Sequence, residues 1–352
     1  MSLLADTCGR ILPIDLSLAN ATQRGLDRKT KPRHSLGRLE ELACRIAAIG
    51  GSALPGTLSK AIVVMAADHG VAAEGVSAYP QEVTSQMLRN FARGGAAINV
   101  LARQAGVRLV VADLGVKMPL AAMPDVRVHR IGAGTDNFAH GPAMTRAQAV
   151  AALEVGIRIA GELVRDGIGL LGVGDMGIGN STAASALTAA FTGARPAAVT
   201  GRGTGIDEAT LAHKVEVIQR GLHVNRPATG DALDVLSKLG GFEIAGLAGV
   251  VLGAAAHRVP VMLDGFITGA AALAAVRMAP RAAEYVLASH LSVECGHRVV
   301  LDAHGVRPLL DLDLRLGEGT GAALAMPLVD AALAIVTDMA TFEAAGVSDT
   351  GR

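Results

Sequence analysis

Three glycine-rich turns contain the residues of this sequence best suited to chemistry. They cover residues 172–182, 201–205 and 316–321. Glycine has no Cβ atom, so a ligand can lie against the bare backbone N–H groups of such turns. The first turn follows a short apolar run and precedes a predicted helix, whose N-terminus favours an anion. It predicts a phosphate site, with a tight turn for close helix–strand packing as the alternative.

The second turn reads Gly-Arg-Gly-Thr-Gly at residues 201–205 and precedes a helix predicted to begin near Asp207. Together with the first turn, it could enclose one phosphate from two sides. Lys214, about two turns into that helix, could add a positive charge. The sequence lacks the Gly-x-x-x-x-Gly-Lys-Ser/Thr pattern, which argues against a nucleoside triphosphatase.

The third turn places a carboxylate, Glu318, between Gly317 and Gly319. A carboxylate with so much room could act as a general base, especially if desolvation raises its pKa. An exposed loop glutamate is the commoner role, and the sequence without further information favours it.

The first turn also matches the dinucleotide-binding pattern Gly-x-Gly-x-x-Gly at residues 172–177. That pattern needs an acidic residue at the end of the next strand to hold the ribose. The next predicted strand, residues 197–200, is followed by Gly201 and Arg202 instead. The sequence therefore argues against NAD binding.

Other catalytic patterns are absent from the sequence. The ten histidines form no His-Glu-x-x-His pair, and Cys295, His297 and His290 lack the spacing of a closed zinc site. There is no Gly-x-Ser-x-Gly motif, and no cysteine stands in a nucleophile context. We therefore predict no metal site.

Composition narrows the class of partner and the compartment. The 352 residues include 32 basic and 32 acidic ones, and aromatic residues make up 2%, which argues against nucleic acid. Three widely spaced cysteines indicate free thiols in a reducing compartment. No signal peptide is evident, and the longest apolar stretches, residues 244–256 and 322–340, fit buried helices better than membrane spans. We expect a cytoplasmic protein without a membrane partner.

The chain repeats one unit: an apolar run, a polar or glycine-rich turn, then a helix. Strands are predicted at residues 61–66, 109–112, 126–131, 169–171, 197–200, 259–263 and 285–288. Helices are predicted at residues 36–49, 82–104, 145–166, 207–224, 241–257 and, as one or two helices, 321–346. Strands this continuously apolar must be covered on both faces, which predicts an α/β fold with a mostly parallel sheet flanked by helices.

Ligands bind such sheets outside the carboxyl ends of the strands. The polar residues predicted at those ends are Asp68, Asp113, Asp175, Thr204, Asp264, Ser292 and Glu294. Each alone suits a helix cap or a turn, and together they could line one cleft. After about residue 305 the alternation weakens. We expect residues 1–57 and 305–352 to form a small helical domain and residues 58–304 to carry the site.

Several motifs together resemble the nicotinate-nucleotide–dimethylbenzimidazole phosphoribosyltransferase family, over residues 31–346. They lie at residues 31–32, 35–40, 67–76, 80–84, 94–99, 176–180, 201–205, 289–290 and 317–321. Two departures stand out. Asp175 occupies a position where the family commonly has Glu, and residues 31–37 read Lys-Pro-Arg-His-Ser-Leu-Gly where the family has Lys-Pro-Pro-Gly-Ser-Leu-Gly.

The resemblance implies a Rossmann-like sheet, a small helical domain from both chain ends, and a homodimer. It also implies a reaction in which nicotinate mononucleotide and 5,6-dimethylbenzimidazole give α-ribazole 5′-phosphate and nicotinate. Glu318 matches the general base of the family. A carboxylate there would take the proton from one ring nitrogen while the other attacks the ribose. This scheme requires neither a metal nor a cofactor.

The resemblance also implies two groups of substrate-binding residues. The phosphate and ribose are expected on Gly177, Gly179, Asn180, Ser181, Gly203, Thr204, Gly205, Lys214 and Ser292. The acceptor base is expected among Tyr79, Gln86, Met87, Asp175 and Leu316. Three alternatives stay open: another benzimidazole, purine or phenolic acceptor, an NAD-dependent oxidoreductase, and a non-catalytic nucleotide-binding protein.

Overall fold

A parallel six-stranded sheet forms the centre of the computed structural model, which describes residues 2–51, 56–118, 123–203 and 205–348. The strands in chain order are β1 Lys60–Ala67, β2 Arg108–Gly115, β3 Val126–Val128, β4 Leu170–Met176, β5 Val261–Leu263, β6 Val286–Ala288, β7 His290–Leu291 and β8 Leu310–Asp311. The large sheet has the order β3-β2-β1-β4-β5-β6, with every neighbouring pair parallel. Strands β7 and β8 form a separate parallel pair. The predicted α/β fold is confirmed.

Helices cover both faces of this sheet. They are α1 Leu3–Gly9, α2 Leu16–Leu26, α3 Arg38–Gly50, α4 Glu82–Ala92, α5 Ala97–Gln104, α6 Arg146–Arg165, α7 Asn180–Thr192, α8 Pro196–Val199, α9 Glu208–Asn225, α10 Ala232–Leu239, α11 Phe242–Ala256, α12 Phe266–Met278, α13 Cys295–His304, α14 Thr320–Asp338 and α15 Phe342–Ala345. Short 3₁₀ turns lie at Gly70–Glu74 and Pro280–Tyr285.

The two faces of the sheet have separate apolar cores because successive strand residues point in opposite directions. Val63 and Met65 of β1 belong to the core beneath α6, α11 and α12. Ile62 and Val64 belong to the core beneath α3, α5 and α14. Small residues let the helices approach closely: a Cβ at Gly156 of α6 would lie 1.8 Å from a backbone oxygen of α11. This packing explains a core rich in alanine and glycine.

Helix α14 is long and apolar enough to cross a membrane by length and composition alone, the one such helix in the described part of the chain. It packs against α3, α5 and β4, and Ala322, Met326 and Val329 are buried in the core. Pro327 lies inside it. The helix is therefore a component of the protein core.

The sheet order reverses between β1 and β4, whose outer neighbours are β2 and β5. In an open parallel sheet, a crevice for ligands forms at the carboxyl ends of the strands beside such a reversal. Strand β4 ends at Met176, directly before the glycines of the first turn. The fold thus places that turn at the expected ligand-binding edge.

The helices of the two chain ends meet in part. Helices α2 and α3 contact α14, and Lys29 forms an antiparallel bridge with Thr341. Helix α1 packs instead against α6 and α11. The division into residues 1–57 with 305–352 and residues 58–304 stays a prediction.

Four predicted elements differ from the structure. Residues 197–200 are not a strand: helix α8 begins at Pro196, whose fixed φ suits a first helical position. The predicted helix 82–104 is two helices, because Gly94 has a φ of +76° between α4 and α5. Strand β3 ends at Val128, and residues 172–176, predicted as a turn, continue β4.

Candidate active site

A cavity of about 290 Å³ opens at the carboxyl ends of β4 and β5. Eight of the predicted site residues line it: Tyr79, Asp175, Gly177, Asn180, Ser181, Gly203, Ser292 and Leu316. Residues from all three glycine-rich turns therefore meet in one place, although they lie far apart in the sequence.

The first turn contains fewer residues than its sequence pattern indicates. Gly172 and Gly174 lie within β4, and the turn itself consists of Gly177, Ile178 and Gly179 before α7 begins. A Cβ at Gly174 would lie 2.5 Å from the carbonyl group of Glu318. Two glycines of the dinucleotide-like pattern thus serve close packing against the third turn and α14. The turn after β4 remains a suitable anion site, since the 13-residue helix α7 begins directly after it and the N-terminus of a helix favours an anion.

Asp175 lies at the end of β4 and is 6% exposed. Its Oδ2 accepts a hydrogen bond from Nδ2 of Asn180 at 2.8 Å. Burial raises the pKa of Asp175 well above its usual value, and the negative charges of Asp264 and Glu243 raise it further. The site therefore favours the protonated form of this carboxyl, which can donate a hydrogen bond to a ligand.

Glu318 is buried, at 5% exposure, so the alternative of an exposed loop glutamate is wrong. Its Oε2 accepts the N–H of Ile98 at 3.3 Å, in the first turn of α5. Burial raises the pKa of the Glu318 carboxyl, and the bond from Ile98 opposes that shift. The residue has a φ of +63°, between Gly317 and Gly319, which also have positive φ. The structure thus holds a basic carboxylate in an unusual backbone conformation.

Comparisons with known proteins agree with this geometry. The model of the DBI_PRT phosphoribosyltransferase family matches residues 11–347. The chain is 55% identical over 349 residues to nicotinate-nucleotide–dimethylbenzimidazole phosphoribosyltransferase of Geobacter sulfurreducens, with 99% of each chain covered. It is 56% identical to the enzyme of that name from Chloroflexus aggregans, again with 99% of each chain covered. The chain belongs to this phosphoribosyltransferase family.

A solved structure supports the assignment. The phosphoribosyltransferase of the same name from Thermus thermophilus superposes with a TM-score of 0.90 at 48% identity, over 96% of this chain and 100% of that one. The resemblance read from the motifs is confirmed, and it removes the oxidoreductase alternative. The strand predicted at residues 197–200, whose end lacked an acidic residue, does not exist, because residues 196–199 form helix α8. The roles of individual residues stay predictions.

Several predicted residues lie away from the wall of the 290 Å³ cavity. Lys214 is 1% exposed and lies behind the wall, where its Nζ donates to Oγ of Ser181 at 2.9 Å. Burial lowers the pKa of Lys214 to about 8. Glu318 itself does not line this cavity, although its neighbour Gly317 does. Ser181 thus lies between Lys214 and the cavity in this arrangement.

The remaining predicted residues have varied positions. Gln86 is exposed on α4, and Met87 packs against the core beside α14, so neither lines the cavity. Gly179 and Gly205 have φ values of +96° and +105° and also lie off its wall. Thr204 lies outside the described residues.

Asp264 holds the third turn in place. The sequence predicted it only as a polar residue at a strand end, not as a substrate-binding or catalytic residue. Its two carboxylate oxygens accept the N–H groups of Gly319, Gly321 and Ala322, at 3.0, 2.7 and 3.3 Å. Burial raises the pKa of Asp264 to about 7, although these three bonds lower it. Its position after the apolar run of β5 was a signal in the sequence, but its partners 55 to 58 residues away were not.

His290 and Glu294 also line the cavity. Glu294 was predicted only as a polar residue at a strand end, and neither residue was among the predicted substrate-binding residues. Burial lowers the pKa of His290 to about 4, so its imidazole is neutral at physiological pH. Its Nδ1 lies 3.0 Å from Oγ of Ser289. A neutral ring can both donate and accept, which suits a wall that contacts a polar ligand.

Among the residues that the structure describes, one group of side chains has the spacing for a metal ion: Asp27, His34 and Glu40. Glu40 is already engaged, since Lys31 donates to it at 2.8 Å and Gln23 at 3.0 Å. None of these residues lines the 290 Å³ cavity. The group gives no reason to assign a metal to the reaction.

Proposed function

We propose that this phosphoribosyltransferase moves the 5-phosphoribosyl group from nicotinate mononucleotide to 5,6-dimethylbenzimidazole. The products are α-ribazole 5′-phosphate, the lower-ligand nucleotide of cobalamin, and nicotinate. One observation carries the assignment of the chemistry to this site: Glu318 is a buried carboxylate whose turn is bonded to the cavity residue Asp175. The N–H of Glu318 donates to the carbonyl oxygen of Asp175 at 3.3 Å.

Glu318 acts as the general base. One ring nitrogen of the benzimidazole attacks C1′ of the ribose while Glu318 accepts the proton of the other nitrogen. This transfer prevents positive charge from accumulating on the acceptor. A carboxylate with a raised pKa accepts that proton more readily.

Nicotinate leaves from the opposite face of C1′. The electron pair of the broken C1′–N bond returns to the pyridinium nitrogen and neutralises its charge. Attack opposite the leaving group inverts C1′, so a β-nucleotide gives an α-product. The departure of a neutral ring nitrogen explains why the scheme needs no metal or cofactor.

The substrates fit different parts of the wall. The phosphate is best placed at the N-terminus of α7, where Gly177 and Ser181 line the cavity. The flat acceptor is best placed against Tyr79 and Leu316, which line the same cavity and are 54% and 57% exposed. Burial of these apolar surfaces would stabilise the bound ring.

An assay of nicotinate release tests the function. The purified chain is incubated with nicotinate mononucleotide and one acceptor from a panel of benzimidazoles, purines and phenols. We expect the highest kcat/KM with 5,6-dimethylbenzimidazole. A clear preference for a purine or a phenol would show that 5,6-dimethylbenzimidazole is not the acceptor. No release of nicotinate with any acceptor would refute the function.

We also propose that the enzyme is a cytoplasmic homodimer. The free cysteines Cys8, Cys44 and Cys295 support a reducing compartment, and the family resemblance supports the dimer. Light scattering coupled to size exclusion measures the mass directly. A particle of 35.7 kDa, the mass of one chain, would contradict the dimer.

A further inference from the structure

Glu294 is a buried carboxylate in the cavity wall. The sequence predicted it at a strand end that could line a cleft, but gave it no substrate-binding or catalytic role. It lies directly before α13 and is 8% exposed. Its Oε1 accepts the N–H of Gly203 at 2.8 Å. Its Oε2 is buried and has no hydrogen-bond partner within the ranges that the structure describes. An unpaired buried oxygen beside a ligand cavity calls for a donor from the ligand.

The second turn is shaped around this carboxylate. A Cβ at Gly201 would lie 2.1 Å from Oε2 of Glu294, so glycine is needed to leave space for it. Lys214 lies nearby, behind Ser181. Burial lowers the pKa of Lys214, and attraction to Glu294 opposes that shift. Gly201 therefore leaves the space that the Glu294 side chain occupies, and the buried cation Lys214 attracts its carboxylate.

The chemistry of the carboxylate limits what it can bind. An ionised carboxylate only accepts hydrogen bonds. On nicotinate mononucleotide, the ribose hydroxyls can donate hydrogen bonds at neutral pH. The nicotinate carboxylate has no proton to donate, and the phosphate is mostly a dianion without one. A phosphate next to Glu294 would also be repelled by its charge. The ribose thus suits the second turn, and the phosphate suits the N-terminus of α7.

We propose that Glu294 accepts a hydrogen bond from a ribose hydroxyl of the bound nucleotide and thereby selects ribonucleotides over deoxyribonucleotides. This inference rests on the proposed function and adds a specificity residue to the same site. It also changes the role of Gly203, whose N–H holds Glu294 and is not available to the phosphate.

Rates with nicotinate mononucleotide and with its 2′-deoxy and 3′-deoxy analogues test the inference. We expect the wild type to prefer the ribonucleotide over at least one analogue by about 10- to 100-fold in kcat/KM, as for a hydrogen bond to a charged acceptor. Glu294→Ala should bring that ratio close to one. Glu294→Gln, which keeps the side-chain volume, should lower it in part. Glu216→Gln, an exposed change on α9, should keep the wild-type ratio.

A purely structural role for Glu294 predicts a different result. Both variants would then lose activity equally with ribonucleotide and analogue, and an unchanged ratio would overturn the inference. If Glu294→Ala does not fold, the ratio for Glu294→Gln decides: a lowered ratio supports the inference, and an unchanged one refutes it.

Calorimetry separates this inference from the proposed function. It measures the binding of ribonucleotide and analogues without turnover. If the wild type releases no nicotinate but binds the ribonucleotide more tightly, and Glu294→Gln reduces that difference, the function fails and the inference stands. Equal affinity of the wild type for all three nucleotides would refute the inference even if the enzyme is active.

Discussion

The backbone N–H of Glu318 donates to the carbonyl oxygen of Asp175 at 3.3 Å, joining the third glycine-rich turn to the end of β4. Gly174 lies beneath this bond, because a Cβ there would come within 2.5 Å of the Glu318 carbonyl group. The proposed base is thus positioned by a strand residue that has no side chain.

Gly174→Ala should displace the third turn. Overpacking at such a contact costs about 1–3 kcal/mol of stability, and we expect a fall in kcat of roughly 10²-fold, because a small displacement of a catalytic group is costly. Urea unfolding and steady-state rates measure the two effects. Gly25→Ala on α2, where an added Cβ meets open space, is the matched control and should keep wild-type activity. Unchanged kcat in Gly174→Ala would contradict this positioning.

Glu318→Gln should retain the fold and nucleotide binding but lose transfer activity. General-base catalysis is worth about 10²–10⁴-fold, so we expect a loss of kcat in that range. Nicotinate release measures turnover, and calorimetry with nicotinate mononucleotide confirms that binding persists. Glu41→Gln, an exposed change on α3, serves as the control. Turnover close to wild type in Glu318→Gln would reject Glu318 as the base.

Lys214 should make nucleotide binding sensitive to alkaline pH. Its pKa of about 8 means that the ammonium group loses its proton as the pH rises through that value. We expect the Kd for nicotinate mononucleotide to increase about 10-fold between pH 7 and pH 9.5, as a charged contribution is lost. Calorimetry across this range measures it.

Lys214→Met should bind the nucleotide weakly at every pH, with a flat profile. Lys238→Met, on α10 and outside the cavity, should keep the wild-type profile. A profile in Lys214→Met as steep as in the wild type would assign the pH dependence to another group.

Asp264 should make stability fall with rising pH. Its pKa is raised from 3.8 to about 7 in the folded protein, so folding favours the protonated carboxyl. The stabilisation is complete below the unfolded pKa and is lost as the pH rises through the folded pKa. We expect a loss on the order of 1–4 kcal/mol between pH 4 and pH 7.5 from this residue. Asp264→Asn should remove that part of the dependence, as measured by urea unfolding. If the free energy of unfolding fell with pH equally in the wild type and in Asp264→Asn, this prediction would be contradicted.

Gly203→Val should weaken the binding of nicotinate mononucleotide far more than that of 5,6-dimethylbenzimidazole. Gly203 has a φ of +52°, and a Cβ there would lie 2.9 Å from Oγ of Ser181. Both the strain and the contact disturb the part of the site expected to hold the nucleotide. Gly346→Val, at a φ of +62° in open space, controls for strain alone. Equal losses for both ligands by calorimetry would count against this assignment.

The local features of the site could be predicted because they depend on neighbouring residues. An apolar run followed by glycines predicts a strand and a turn, and this succeeded for β1, β2, β4 and β5. It failed for residues 197–200, where Ala-Ala-Val suits a strand or a helix and Pro196 decided for the helix. It also failed for Gly172 and Gly174, since a glycine needed for tertiary packing looks the same in sequence as one needed for a turn.

By itself, the sequence determined the fold class, the three glycine-rich turns, the family and the carboxylate proposed as base. The tertiary structure alone decided that Glu318 is buried, that Asp264 accepts hydrogen bonds from the turn that contains Glu318, and that Glu294 accepts a hydrogen bond from the second turn. These contacts join residues from 55 to 220 positions apart, and such pairings depend on how strands and helices pack. The first turn illustrates both sources: its sequence predicts an anion site, and only packing shows that the site begins at Gly177.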